Sequence, residues 1–200
     1  MRYKTFLIFG APGSGKGTQG RTLGSIPRFF HFACGDVFRS LDTRTPLGQR
    51  FLEYSSKGLL VPAEVTVKLW AARIQDSVGS HTFKPDIDFL VLDGIPRNVE
   101  QAIIMDDMIE VIRVFHLSIG NFGELAKRLK KRALKENRLD DASDEVIKKR
   151  LETYEAESRP LLEHYGSGLV RKIDATQAPA KVIFDILHVI HSENIPIPKA

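Results

Sequence analysis

Apolar residues along the chain follow two patterns. The first is a short, nearly unbroken run, seen at Thr5 to Phe9, Phe29 to Ala33, Phe89 to Leu92, Val111 to Leu117 and Leu169 to Ile173, each rich in β-branched or aromatic residues. A strand with one wet face alternates apolar and polar positions, so unbroken runs predict strands covered on both faces. The second pattern is helical. Asn121 followed by Glu124 predicts a capping box that opens a helix through Leu125 and Leu129, and Ser143 with Asp144 and Glu145 predicts another start. Ile147, Leu151 and Tyr154 then recur at i, i+4 and i+7 as an apolar stripe, which Pro160 is expected to kink or end. Alternation of covered strands with helices predicts an α/β fold around a parallel sheet. The tail from Ile195 to Ala200, with its two prolines, is expected to be extended and frayed.

Composition narrows the picture. The 200 residues, 42% hydrophobic and 27% charged, are enough for one globular domain with a substantial core. The formal charge of +4 is unevenly spread: Lys127 to Arg150 holds ten basic and five acidic residues, leaving the remainder close to neutral. A uniformly basic nucleic-acid coat is therefore not expected, and a single anion-facing segment is. That segment contains no aromatic residue on which bases could stack, so nucleic acid is not an expected partner. The lone Cys34 cannot form an intramolecular disulfide, and only about five apolar residues precede Gly10. Both point to a soluble, cytoplasmic protein without a membrane span. His31, His116 and His164 stand among apolar neighbours and read as packing or surface residues.

The clearest chemistry follows the first predicted strand. Gly10-Ala-Pro-Gly-Ser-Gly-Lys-Gly-Thr18 satisfies the spacing G-x-x-x-x-G-K through Gly10, Gly15 and Lys16. Such a loop turns backbone N–H groups toward a phosphate, the next helix adds its positive end, and Lys16 supplies a point charge for the β and γ phosphates. Gly17 stands where Ser or Thr usually follows the lysine, with Thr18 next. The pattern predicts nucleoside triphosphate binding without saying what is done with the triphosphate.

Gly10 to Gln19 resembles the P-loop of adenylate kinases and related nucleoside monophosphate kinases. Three further segments match that family in order: His31 to Arg39, Leu92 to Arg97 with Gln101 four residues on, and Arg138 to Asp141 followed by Ile147 to Tyr154. The resemblance implies a P-loop nucleoside triphosphate hydrolase-like fold with a five-stranded parallel sheet. It divides the chain into a core (1–33, 76–131, 142–193), a monophosphate-binding insert (34–75), a short lid (132–141) and a tail (194–200). It also implies Mg²⁺-dependent transfer of the terminal phosphoryl group of ATP to AMP by a monomer. With one cysteine, the tetracysteine zinc site of some relatives cannot form.

By the same match, Gly13, Ser14, Gly15, Lys16, Gly17, Thr18, Arg128 and Arg132 are expected to hold ATP, with Arg128 against its adenine. Cys34, Arg39, Val61, Gly94, Arg97, Gln101, Arg138 and Arg150 are expected to hold AMP. Lys16, Arg97, Arg132, Arg138 and Arg150 would act on the transferring phosphoryl, where arginine's planar fork suits phosphate oxygens. Arg150 borders the apolar stripe, so its head either snorkels outward or enters a polar cleft. Asp93 ends a buried strand, where it fits magnesium through water or caps the following helix. Asp140 and Asp141 read equally as partners for lid closure or as a polar turn.

Gln101 and Asp36 are of the adenylate type. Ala33-Cys34 replaces a common Ser-Thr, Ile95 a usual phenylalanine and Leu59 a frequent lysine or glutamine. A uridylate or cytidylate kinase and a non-catalytic nucleotide-binding regulator are the alternatives.

Overall fold

The computed structural model describes residues 2–136 and 143–199. Five strands, β1 (Tyr3–Phe9), β2 (Phe29–Ala33), β3 (Phe89–Asp93), β4 (Ile109–Ser118) and β5 (Val170–Asp174), form one parallel sheet in the order β2-β3-β1-β4-β5. All five predicted runs are strands. β4 extends two residues further back than its run, and Leu169 ends a helix instead of opening β5.

Nine helices connect and cover the strands among the described residues: α1 (Lys16–Gly24), α2 (Cys34–Arg39), α3 (Pro46–Ser55), α4 (Ala63–Gly79), α5 (Val99–Met105), α6 (Phe122–Glu136), α7 (Asp144–Thr153), α8 (Leu161–Leu169) and α9 (Pro179–Ser192). Alternate side chains of each strand enter opposite layers. Leu7, Phe9, Leu90 and Leu92 face the layer that holds Trp70, Met105, Leu129 and Leu161. Phe6, Ile8, Phe89 and Val91 face the layer closed by Leu23 of α1 and by Val182, Ile186 and Ile190 of α9. In the second layer the Phe6 ring centroid lies 5.2 Å from that of Phe89 and 5.7 Å from that of Phe115. Such ring contacts add modestly to area burial.

Local signals mostly hold. Ser143 caps α7 by accepting from the Val146 amide at 3.2 Å. Asn121 accepts from the amides of Gly123 and Glu124, but the reciprocal half of the expected capping box is absent: Glu124 accepts from Arg128 at 2.5 Å instead. A guanidinium one turn away offers a charge-assisted bond, which is stronger than one to a backbone amide. The stripe of α7 continues through a π-helical turn at Tyr154–Ser158, and Pro160 stands at the start of α8.

The tail differs from expectation. It is extended, yet Ile195 and Ile197 pack on the second layer, and Arg28 donates to the Lys199 carbonyl at 2.9 and 3.0 Å. Apolar residues on either side of Pro196 give the tail a face to bury, which offsets the ordering that frays most termini. No helix among the described residues is long and apolar enough to cross a membrane.

Candidate active site

The strand registers bring three loops to one place. Ile8 and Ala33 both align with Asp93, so the carboxyl ends of β1, β2 and β3 release Gly10, Cys34 and Gly94 side by side. The chain turns to opposite sides of the sheet at β1, and the crevice beyond such a reversal is where ligands of parallel sheets collect. A cleft of about 400 Å³ opens there. Every described residue expected from the sequence to bind nucleotide lines it, from Gly13 to Thr18 and including Cys34, Arg39, Val61, Asp93, Gly94, Arg97, Gln101, Arg128, Arg132 and Arg150. Arg138, Asp140 and Asp141 lie outside the described residues.

The P-loop turns through positive φ at Gly10 (148°), Gly13 (85°) and Gly15 (96°), a path that side chains rarely follow. Ser14 N donates to Ala11 O at 3.0 Å, closing the turn. The Ser14 hydroxyl is buried and has no partner among the described residues. Lys16 Nζ bends back over the loop and donates to the carbonyls of Gly10 at 2.7 Å and Ala11 at 3.1 Å. Burial pulls its pKa down to about 8; the Asp93 carboxylate opposes that shift, while Arg97, Arg132 and Arg150 reinforce it. Lys16 thus feels three arginines and the Asp93 carboxylate across the cleft.

Asp93 faces the first turn of α1, since a Cβ on Gly17 would stand 3.3 Å from its Oδ2. No cluster of three or more metal-ligating side chains exists among the described residues. One carboxylate beside a phosphate cradle suits magnesium, which keeps several waters and takes few protein ligands.

Arg97 and Gln101 are built as a unit. Asn98 caps α5 by accepting from the Gln101 amide at 3.0 Å, and the buried Gln101 Oε1 accepts from Arg97 N at 2.8 Å. Arg97 Nε donates to Gly94 O at 2.9 Å, which fixes the base of its guanidinium. Arg150, on the margin of the α7 stripe, takes the cleft side of the two choices its position allows. Arg128 bridges Glu124 and the Ala175 carbonyl at 3.1 Å, tying α6 to the end of β5. Arg39 pairs with Asp36, which also lies 3.9 Å from Arg21.

Apolar side chains also line the cleft. Phe38 and Phe51 stack with centroids 5.2 Å apart, Ile95 is buried, and the Thr66 hydroxyl donates to Val61 O at 3.3 Å. Burial pushes the Cys34 thiol up to about 12, so it is neutral at ordinary pH. His31 and His116 are held below their usual range, chiefly by burial. His31 packs beside α1, and His116 lies 3.4 Å from the Tyr154 hydroxyl. Phe38, Phe51, Thr66 and Thr153 line the cleft but carry no spacing signal in the sequence, because their positions depend on how the 34–75 helices and α7 pack.

A family model described as adenylate kinase matches residues 8–169. The chain is 36% identical over 165 residues to an adenylate kinase of Corynebacterium diphtheriae, spanning 82% of this chain and 87% of that protein. It is 36% identical over 191 residues to an adenylate kinase of a Cyanothece species, spanning 92% and 93% of the two chains. To an adenylate kinase of Micrococcus luteus it is 34% identical over 193 residues, spanning 93% and 90%. With a P-loop at the sheet's reversal, arginines converging on its lysine and this similarity along most of its length, the chain belongs to the adenylate kinase family of phosphotransferases.

Proposed function

We propose that the cleft catalyses reversible, Mg²⁺-dependent transfer of the terminal phosphoryl group of ATP to AMP, giving two ADP, in a cytoplasmic monomer whose partners are nucleotides. The observation that carries this reading is the glycine-rich loop at the sheet's reversal, with Lys16, Arg97, Arg132 and Arg150 lining the same cleft. Cations beside a phosphate-binding loop suit a ligand that brings several negative charges.

In this reading Gly13 to Thr18 cradle the ATP phosphates through backbone amides, and Lys16 leaves its carbonyl partners to reach the β and γ oxygens. Arg128 covers the adenine of ATP. Arg39 and Arg97 hold the AMP phosphate; Cys34, Val61, Gly94 and Gln101 form the wall for its base and sugar. Arg132 and Arg150, with Arg138, draw around the transferring group and exclude water from it. Asp93 holds the metal through water; magnesium bound with ATP supplies neutralisation of charge on the phosphate oxygens. Residues 34–75 act as the acceptor insert and 132–141 as the lid, of which the described part, through 136, continues α6.

A panel of AMP, UMP and CMP with ATP and Mg²⁺ tests the reading. ADP is expected to form fastest with AMP. Absence of ADP formation from AMP overturns it.

A further inference from the structure

The turn that ends α3 lies directly on α7. Leu59 N donates to Tyr54 O at 3.0 Å and Gly58 N to Ser55 O at 3.1 Å, so α3 closes in a Schellman-type turn with Gly58 at φ 69°. A Cβ on Gly58 would stand 3.1 Å from both the Val146 carbonyl oxygen and Arg150 Cγ, and 3.2 Å from the Arg150 amide nitrogen. The two backbones therefore touch with no room for a side chain between them. Further along α7 the buried Thr153 hydroxyl donates to the Gly58 carbonyl at 3.1 Å, a bond between residues 95 positions apart. Residues three apart on a helix share a face, so Arg150 and Thr153 meet the same loop. Leu59, Leu60 and Val61, which follow Gly58, line the cleft.

We infer that Thr153 is a positioning residue for phosphoryl transfer: its hydroxyl clasps the Gly58 carbonyl and holds the acceptor wall at residues 59–61 in register with Arg150. The inference rests on the role given to Arg150 above. A hydrogen bond removed from water is directional, and leaving a buried carbonyl unpaired is unfavourable, so the pair resists sliding. Displacement of a charged group by about an ångström is enough to slow a reaction markedly. With the clasp in place, a nucleotide that settles on residues 59–61 also fixes the turn of α7 that carries Arg150.

Thr153→Val keeps the side-chain shape and removes the donor. The kcat with ATP and AMP is expected to fall about tenfold, while KM for ATP, held on the P-loop, changes less than about twofold. Thr153→Ser, which keeps the hydroxyl, is expected to restore kcat. In an Arg150→Ala background, Thr153→Val is expected to have no further effect on kcat, because a residue that acts through Arg150 has nothing left to position. An unchanged kcat in the single variant, or an equal fold loss in both backgrounds, overturns the inference. Hydrogen exchange separates its failure from that of the Arg150 assignment. AMP is expected to slow exchange of α7 amides in the parent and in Thr153→Ser, but not in Thr153→Val. If Arg150→Ala turns over normally, the role of Arg150 is lost and the clasp is judged on exchange alone; α7 protection that persists in Thr153→Val overturns it.

Discussion

In the proposed reading, the phosphate end of the cleft is made of backbone amides from Gly13 to Lys16 and the side chains of Lys16, Arg97, Arg132 and Arg150. The acceptor end is made of Cys34, Val61, Ile95 and the stacked Phe38 and Phe51, with Arg39, Thr66 and Gln101 among its polar residues. In that reading the first end works by charge and backbone amides that suit the phosphates. The second works by shape and by a few hydrogen bonds, and it discriminates among bases. Turnover should therefore depend on the first and acceptor choice on the second.

Breaking the phosphate end has the largest expected effect. Lys16→Ala and Arg97→Ala are each expected to lower kcat by on the order of 10³-fold or more, with circular dichroism unchanged. A loss of folded signal would mean these side chains hold the structure and would erase the distinction between the two ends. Gln101 sits where the ends meet, since its Oε1 caps the Arg97 amide. Gln101→Ala is expected to lower kcat/KM by about 10- to 100-fold with AMP and by less with UMP or CMP, the range expected when a buried hydrogen-bonding group is removed. Equal losses with all three acceptors would assign Gln101 to the phosphate end alone.

The pH profile probes the same boundary. Because burial brings Lys16 down to about 8, the nucleotide-free protein loses this charge as pH rises through that value. The kcat/KM for ATP, which reports the free enzyme, is expected to decline above pH 8, and Lys16→Arg to flatten the decline at lower activity. Stability moves the other way. Between about 8 and the ordinary lysine value of 10.5 the unfolded chain holds a proton that the folded chain has released, so this group's contribution to stability increases with pH. The smallest change is expected from Cys34→Thr, which adds a hydroxyl at the acceptor wall. KM for AMP should fall about two- to tenfold, as one neutral hydrogen bond allows, with kcat and KM for ATP unchanged.

The two ends also differ in how far the sequence revealed them. The P-loop was legible because its chemistry lies in nine consecutive residues, and β2 was legible to the residue because it is covered on both faces. Arg97 and Gln101 are four apart and flank the Asn98 cap of α5, so their pairing is local as well. The 34–75 helices were not readable in this way: the stacking of Phe38 on Phe51, or of Gly58 on α7, depends on tertiary packing that no short window contains. Glu124 illustrates competition between signals, since a capping partner and an arginine one turn away claim the same carboxylate. The tail was misread because prolines mark extended backbone without saying whether neighbouring isoleucines find a surface.

The sheet's two faces carry a consequence for how such a chain tolerates change. One layer, with Trp70, Leu129 and Leu161, borders the helices that hold the acceptor wall and Arg150 of α7; the other is closed largely by α1, α9 and the tail. Ile186 and Ile190 are buried there, and each such side chain contributes about 1.5–3 kcal/mol. Substitutions at Ile186 and Ile190, which do not line the cleft, are thus expected to shift the melting temperature while the cleft keeps its shape. The C-terminal half of α9 is therefore where melting temperature and catalytic rate are expected to vary separately.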